Sequence, residues 1–153
     1  MFQNTISYGT FGVGNGNIIL VGGGLAPVVT SAYNYIENLV KGISTTVLGT
    51  GGVVKVSQDG AYYVDFSFIA SGGDNKTYTL KPFVNNLEQG GMDIKFYQQA
   101  TAQKYEVSGS YIFDLNAGDE LSFKIYVLAL PSTTFETKDV KLTIINLQQL
   151  GVH

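Results

Sequence analysis

A chain of 153 residues, with 14% charged and 44% hydrophobic residues, fits one globular domain that buries on the order of 70% of its unfolded surface. All nine basic residues are Lys and the formal charge is -3, which excludes the basic face expected of a nucleic-acid binder. With no Cys there is neither a disulfide framework nor a thiolate metal site. No run of about 18 apolar residues suggests a membrane span, and no charged, apolar leader stands at the start.

Residues 1–29 hold seven of the nineteen Gly around a short apolar run. Ordering glycine costs backbone entropy, so such a stretch rarely builds a core unaided. It reads as an arm with one edge strand, docked on its own domain or on a partner through Phe2, Tyr8, Phe11, Ile18, Ile19, Leu20 and Val21. Residues 30–41 allow a helix, with Ala32, Ile36, Leu39 and Val40 on one face and Gly42 as its stop. An alternating strand through Tyr33, Tyr35 and Glu37 is also open, although propensity alone favours the helix slightly.

From residue 43 onward the pattern is all strand. Runs rich in β-branched and aromatic residues at 43–48, 53–57, 61–70, 77–84, 92–98, 104–115, 120–130 and 139–148 are separated by turn residues. Short strands so spaced indicate a sandwich or barrel. The organising run is 60–70, where Tyr62, Val64, Phe66 and Phe68 share an apolar face and Tyr63, Asp65, Ser67 and Ile69 a mixed one. Leu121, Phe123, Ile125 and Val127, and likewise Val140, Leu142 and Ile144, form further core sides. Residues 115–121 read as a tight hairpin, with Gly118 for a positive φ and Asp119 to bond the nearby backbone.

GAYYVDFS at 60–67, FVNN at 83–86, SGSYIFDLNAGDEL at 108–121 and VKLTIINL at 140–147, in this order, resemble the C1q/tumour-necrosis-factor-like jelly roll. The resemblance covers roughly 43–148. It departs from the vertebrate C1q pattern at the carboxy end and looks more like the short, cysteine-free bacterial and phage members. It places 30–44 as the first strand and following loop, so the helix reading gives way to strand. It also implies an all-β jelly-roll sandwich assembled as a homotrimer around a threefold axis. Tyr63, Ile69, Tyr111, Tyr126, Leu128 and Leu130 stand opposite the core-facing positions and are the candidate trimer interface.

Chemistry is sparse. The one His, His153, stands last, so neither a catalytic triad nor a zinc set assembles. Asp114, Asp119 and Glu120 flank a hairpin turn and read as solvated turn acids. The glycine-rich 12–17 lacks the lysine of a phosphate loop and runs into a strand. The loop with Asp74 and Asn75 offers oxygens that suit either calcium or a plain turn, and 75–77 is a glycosylation sequon by pattern. No catalysis and no cofactor are expected.

The reading is a non-catalytic virion protein: an arm (1–29), a jelly-roll domain (30–150) and a tail (151–153). It is expected to be a trimeric phage capsid decoration or cement protein, made in the host cytoplasm and anchored to the major capsid protein through the arm. A chain starting near Pro27 is then expected still to trimerise but not to bind shells. The alternative is a receptor- or host-glycan-binding head of a fibre, using distal loops that carry Asp74, Asn75, Asn86 and Phe135.

Overall fold

The computed structural model describes residues 7–12, 17–21, 25–28, 34–35, 41–48, 51–72, 76–98, 104–126 and 133–147. All regular structure among them is strand: β1 (Tyr8–Gly12), β2 (Asn17–Val21), β3 (Leu25–Pro27), β4 (Asn34–Tyr35), β5 (Ile43–Leu48), β6 (Gly51–Val56), β7 (Gly60–Gly72), β8 (Lys76–Val84), β9 (Leu87–Glu88), β10 (Ile94–Gln98), β11 (Lys104–Leu115), β12 (Glu120–Tyr126) and β13 (Thr133–Asn146). A first sheet runs β11-β7-β13-β1-β4, with β2 also on β13. A second runs β10-β8-β12-β6-β5, with β3 on β12 and β9 on β8. Every strand pairing is antiparallel. From β7 the chain passes back and forth between the sheets, which closes a jelly roll.

The core lies between the sheets and follows the alternation. Tyr62, Val64, Phe66 and Phe68 of β7 are at most 1% exposed and meet Leu121, Phe123 and Ile125 of β12. Phe66 stacks on Phe123 at 4.1 Å between centroids. Each such side chain contributes about 1.5–3 kcal/mol by leaving water, so this seam is what joins the two sheets.

The described strands within residues 1–29 are part of the sheets. β1 sits between β13 and β4 in the first sheet, β2 pairs with β13, and β3 pairs with β12 in the second sheet. Phe11 is fully buried in the core. A strand flanked on both sides needs no apolar face of its own length, because its neighbours supply the ladder; glycine content is therefore a poor guide to whether it docks. A chain starting near Pro27 would lack β1 and the buried Phe11. In 30–41 the described pair, Asn34 and Tyr35, is strand.

The final strand is longer than its apolar pattern. It begins at Thr133 and carries a bulge between Lys138 and Lys141, where Asp139 adopts φ 52°. A bulge adds one residue and reverses the alternation beyond it. The pattern therefore broke at 139, although the strand did not.

Candidate functional site

The register of the first sheet places its outward side chains in rows. Ile112 of β11, Tyr63 of β7, Ile145 of β13 and Tyr8 of β1 stand side by side across four strands. Ile112 is 59% exposed and the other three are half-buried. The next row is polar: Ser110, Asp65, Thr143 and Thr10. There the Ser110 hydroxyl donates to Asp65 Oδ1 at 2.7 Å, and the Tyr63 hydroxyl donates to Ser110 Oγ at 3.3 Å. Further along, Glu106, Ile69 and Lys138 are aligned. The Asp139 bulge opens a depression of about 230 Å3 between Ser67, Ile69, Glu106 and Lys141.

β11 forms the edge of this sheet among the described residues. An apolar row that runs out to an edge strand can meet another chain over both the face and the edge. Among the described residues no cluster of His, Asp or Glu could hold a metal ion, and none contains a helix long and apolar enough to cross a membrane.

No protein-family model matches the sequence, and no curated protein does. Solved structures do. Eiger TNF from S. frugiperda is similar over 94% of this chain and 93% of its own, with TM-score 0.67 and 13% identity. Murine APRIL at pH 5.0 is similar over 87% of this chain and 100% of its own, with TM-score 0.50 and 14% identity. The fold is a TNF-like jelly roll.

Within this jelly roll the motifs that carried the resemblance touch one another. The Asn85 amide donates to Asp119 Oδ1 at 2.8 Å, and Asn85 Oδ1 accepts from the Glu120 N–H at 3.0 Å. Asp119 Oδ2 also accepts from the Asn116 N–H, closing the 116–119 turn in which Gly118 has φ 92°. Gly60, the first residue of GAYYVDFS, lies where a Cβ would stand 2.6 Å from the Asn146 amide nitrogen. The buried Asn146 amide in turn donates to the Asp59 carbonyl. These residues knit one end of the sandwich; their role is architectural.

The candidate residues of the jelly roll are split by the structure. Tyr63 and Ile69 share the first sheet's outer face. Tyr111 does not: it pairs with core-facing Val64, is 7% exposed, and lies stacked beside Phe113. Its hydroxyl has no partner among the described residues, and burial, then the Asp93 charge, pushes its pKa up to about 12. The opposite-face assignment failed because cross-strand partners share a face, and Ile112, not Tyr111, is paired with Tyr63. Tyr126 is on the other sheet, under the Lys81 ammonium at 5.6 Å, so it belongs to no common patch with Tyr63. Leu128, Leu130, Phe2, Asp74 and Asn75 lie outside the described residues. Of the arm, Tyr8 is on the apolar row, Phe11 is in the core, and Ile18, Ile19, Leu20 and Val21 form β2 against β13.

Of the distal-loop set, Phe135 and Asn86 are among the described residues. Phe135 is not in a loop but in β13, paired with Gly72 and Ile19. Asn86 is in the turn after β8, whereas residues 73–75 precede that strand. Ile112 and Ile145 were missed. Their signal was present as apolar residues on both sides of one strand, in a run such as Tyr111-Ile112-Phe113.

Proposed function

We propose that this chain is a non-catalytic structural module that self-associates as a trimer through the outer face of the first sheet. The observation that carries the reading is the row Ile112, Tyr63, Ile145 and Tyr8, aligned across four strands and ending on an exposed edge residue. Leaving such a row in water is unfavourable by roughly 25 cal/mol per Å² of apolar area, which association recovers. The trimer is what the jelly-roll resemblance implies. A virion surface component, a decoration or cement protein on a phage capsid, is the setting we infer from the likeness to the short cysteine-free phage members. In that setting shell contact falls to surfaces other than a free arm, because β1 and β3 are built into the sheets.

Native mass by light scattering tests the association. Three chains of 16.5 kDa are expected to travel together, and Ile112→Asp is expected to leave single chains. A wild-type mass of one chain at high concentration would remove the proposal. A second reading, a glycan-binding head, draws on exposed Tyr97 and Tyr105, at 45% and 39%, on edge strands β10 and β11. Aromatic faces of this kind can stack on sugar rings, and an empty glycan screen would count against it.

A further inference from the structure

Association through the first sheet has a charge in its path. Asp65 stands two residues from Tyr63 on the same outer face, so it lies one row, about 7 Å, from the apolar row of Ile112, Tyr63, Ile145 and Tyr8. A stable interface covers about 800 Å² per partner, a patch roughly 16 Å in radius. A contact of that size centred on Tyr63 therefore covers Asp65 as well.

Within the chain Asp65 is exposed, and Oδ1 accepts the Ser110 hydroxyl at 2.7 Å. Its other oxygen has no partner among the described residues. The strands on either side bring no charge level with it: Ser110 of β11 and Thr143 of β13 are its cross-strand neighbours, and Thr10 of β1 continues the row. On its own strand and face the neighbours are Tyr63 and Ser67. Lys141 is diagonally across in the next row and makes no ion pair among the described residues. Lys41, bridged to Tyr8, ends the apolar row three strands from β7. Glu106 lies two rows off on β11. Asp114 is as close to the apolar row as Asp65 is, but it sits on the edge strand beside the 116–119 turn, at a corner open to water.

Covering Asp65 thus strips water from a carboxylate to which its own chain offers one hydroxyl and no paired cation. Burial disfavours the ionised form, and every added copy brings the same charge. A proton on the free oxygen removes that charge and leaves the Ser110 bond in place.

We propose, resting on the association read above, that Asp65 gates it by proton uptake: the chains assemble with Asp65 as the carboxylic acid, and assembly strengthens as the pH falls. The assembled chain then holds more protons than the free chain, and a fall in pH favours the state that binds them. At higher pH the carboxylates stay charged and the face stays open.

Light scattering of the wild-type chain at about pH 8 and about pH 5 tests the gate, the lower value being one at which an ordinary aspartate is still ionised. The concentration at half-association is expected to fall about tenfold or more between them. Asp65→Asn, which keeps an acceptor for Ser110, is expected to associate at the higher pH as tightly as the wild type does at the lower, and to lose the pH dependence. Asp114→Asn is expected to keep it. Single chains at both pH values remove the association and the gate with it. Association that ignores pH, or a dependence that survives Asp65→Asn, leaves the association standing and overturns the gate. So does weaker association of Asp65→Asn, the sign expected if a lysine of a neighbouring copy pairs with the carboxylate.

Discussion

The two outer faces of the sandwich are made by the same alternation yet end in opposite states. On the second sheet the outward-facing Val53, Phe83, Ser122 and Lys124 are only 2%, 4%, 3% and 9% exposed. On the first sheet the equivalent side chains remain in contact with water, with Ile112 at 59% and Ser108 and Ser110 exposed. The centre of the second sheet's outer face is covered within the chain, whereas that of the first sheet is open. Covering has consequences that can be seen at Lys124, whose ammonium is placed over the Phe83 ring at 4.4 Å and bonded to Asn86, with burial lowering its pKa. On the open face the central carboxylate, Asp65, accepts only the Ser110 hydroxyl among the described residues.

The sharpest way to break this contrast is to truncate one apolar residue on each face. Phe83→Ala should lower the unfolding free energy in urea by about 3–5 kcal/mol, while Ile112→Ala should change that of the dilute chain by no more than about 0.5 kcal/mol. Losses of equal size would erase the distinction. A middle effect should come from Asn85→Ala. It removes two turn hydrogen bonds and forces a Cβ residue without a bonding side chain to hold φ 51°, for a loss of about 2 kcal/mol by the same denaturation. If stability is unchanged, the turn is not what fixes the 85–88 hairpin beside the covered face.

Further effects are in the pH profile, and they have opposite signs. Lys124 has a folded pKa below its ordinary 10.5, so between the two values the unfolded chain binds more protons and stability rises with pH. Tyr111 goes the other way: its pKa moves from 10.0 to about 12, so stability falls across that interval as the unfolded chain alone loses the proton. Unfolding measured from pH 8 upward should lose its rising limb in Lys124→Met, and its falling limb should weaken in Tyr111→Phe, the remainder coming from Lys81, whose pKa is raised by its hydrogen bond to Glu88. At neutral pH, Tyr111→Phe should shift stability by less than about 1 kcal/mol, since the hydroxyl it removes is buried without a partner.

Much of the fold was legible because period-two alternation is a local signal. The faces of β7 and β12 and the 116–119 hairpin follow from neighbours in sequence, and the Asn85–Asp119 contact joins two motifs recognised in advance. The site was less legible because it is a property of register. Whether Tyr111 or Ile112 faces outward depends on which strand it pairs with, and Tyr63 and Tyr126 look alike until their strands are assigned to different sheets. Phe11 illustrates a further limit: glycine-rich surroundings conceal a core residue when the strand's order comes from the neighbours on either side. Asp139 is the last case, since one extra residue disguised the first half of β13 as a loop.

The position of β13 also has a kinetic meaning. It is hydrogen-bonded to β1 on one side and β7 on the other, with Tyr8 opposite Ile145 and Tyr63 opposite the same residue. Neither ladder can form until residues 133–146 have left the ribosome. Until then β1 has no place in the first sheet, Phe11 has no core to enter, and one long edge of β7 stays open. Contacts this distant in sequence make closure of the first sheet a late and slow event, and the nascent chain must keep that edge from pairing with others while it waits.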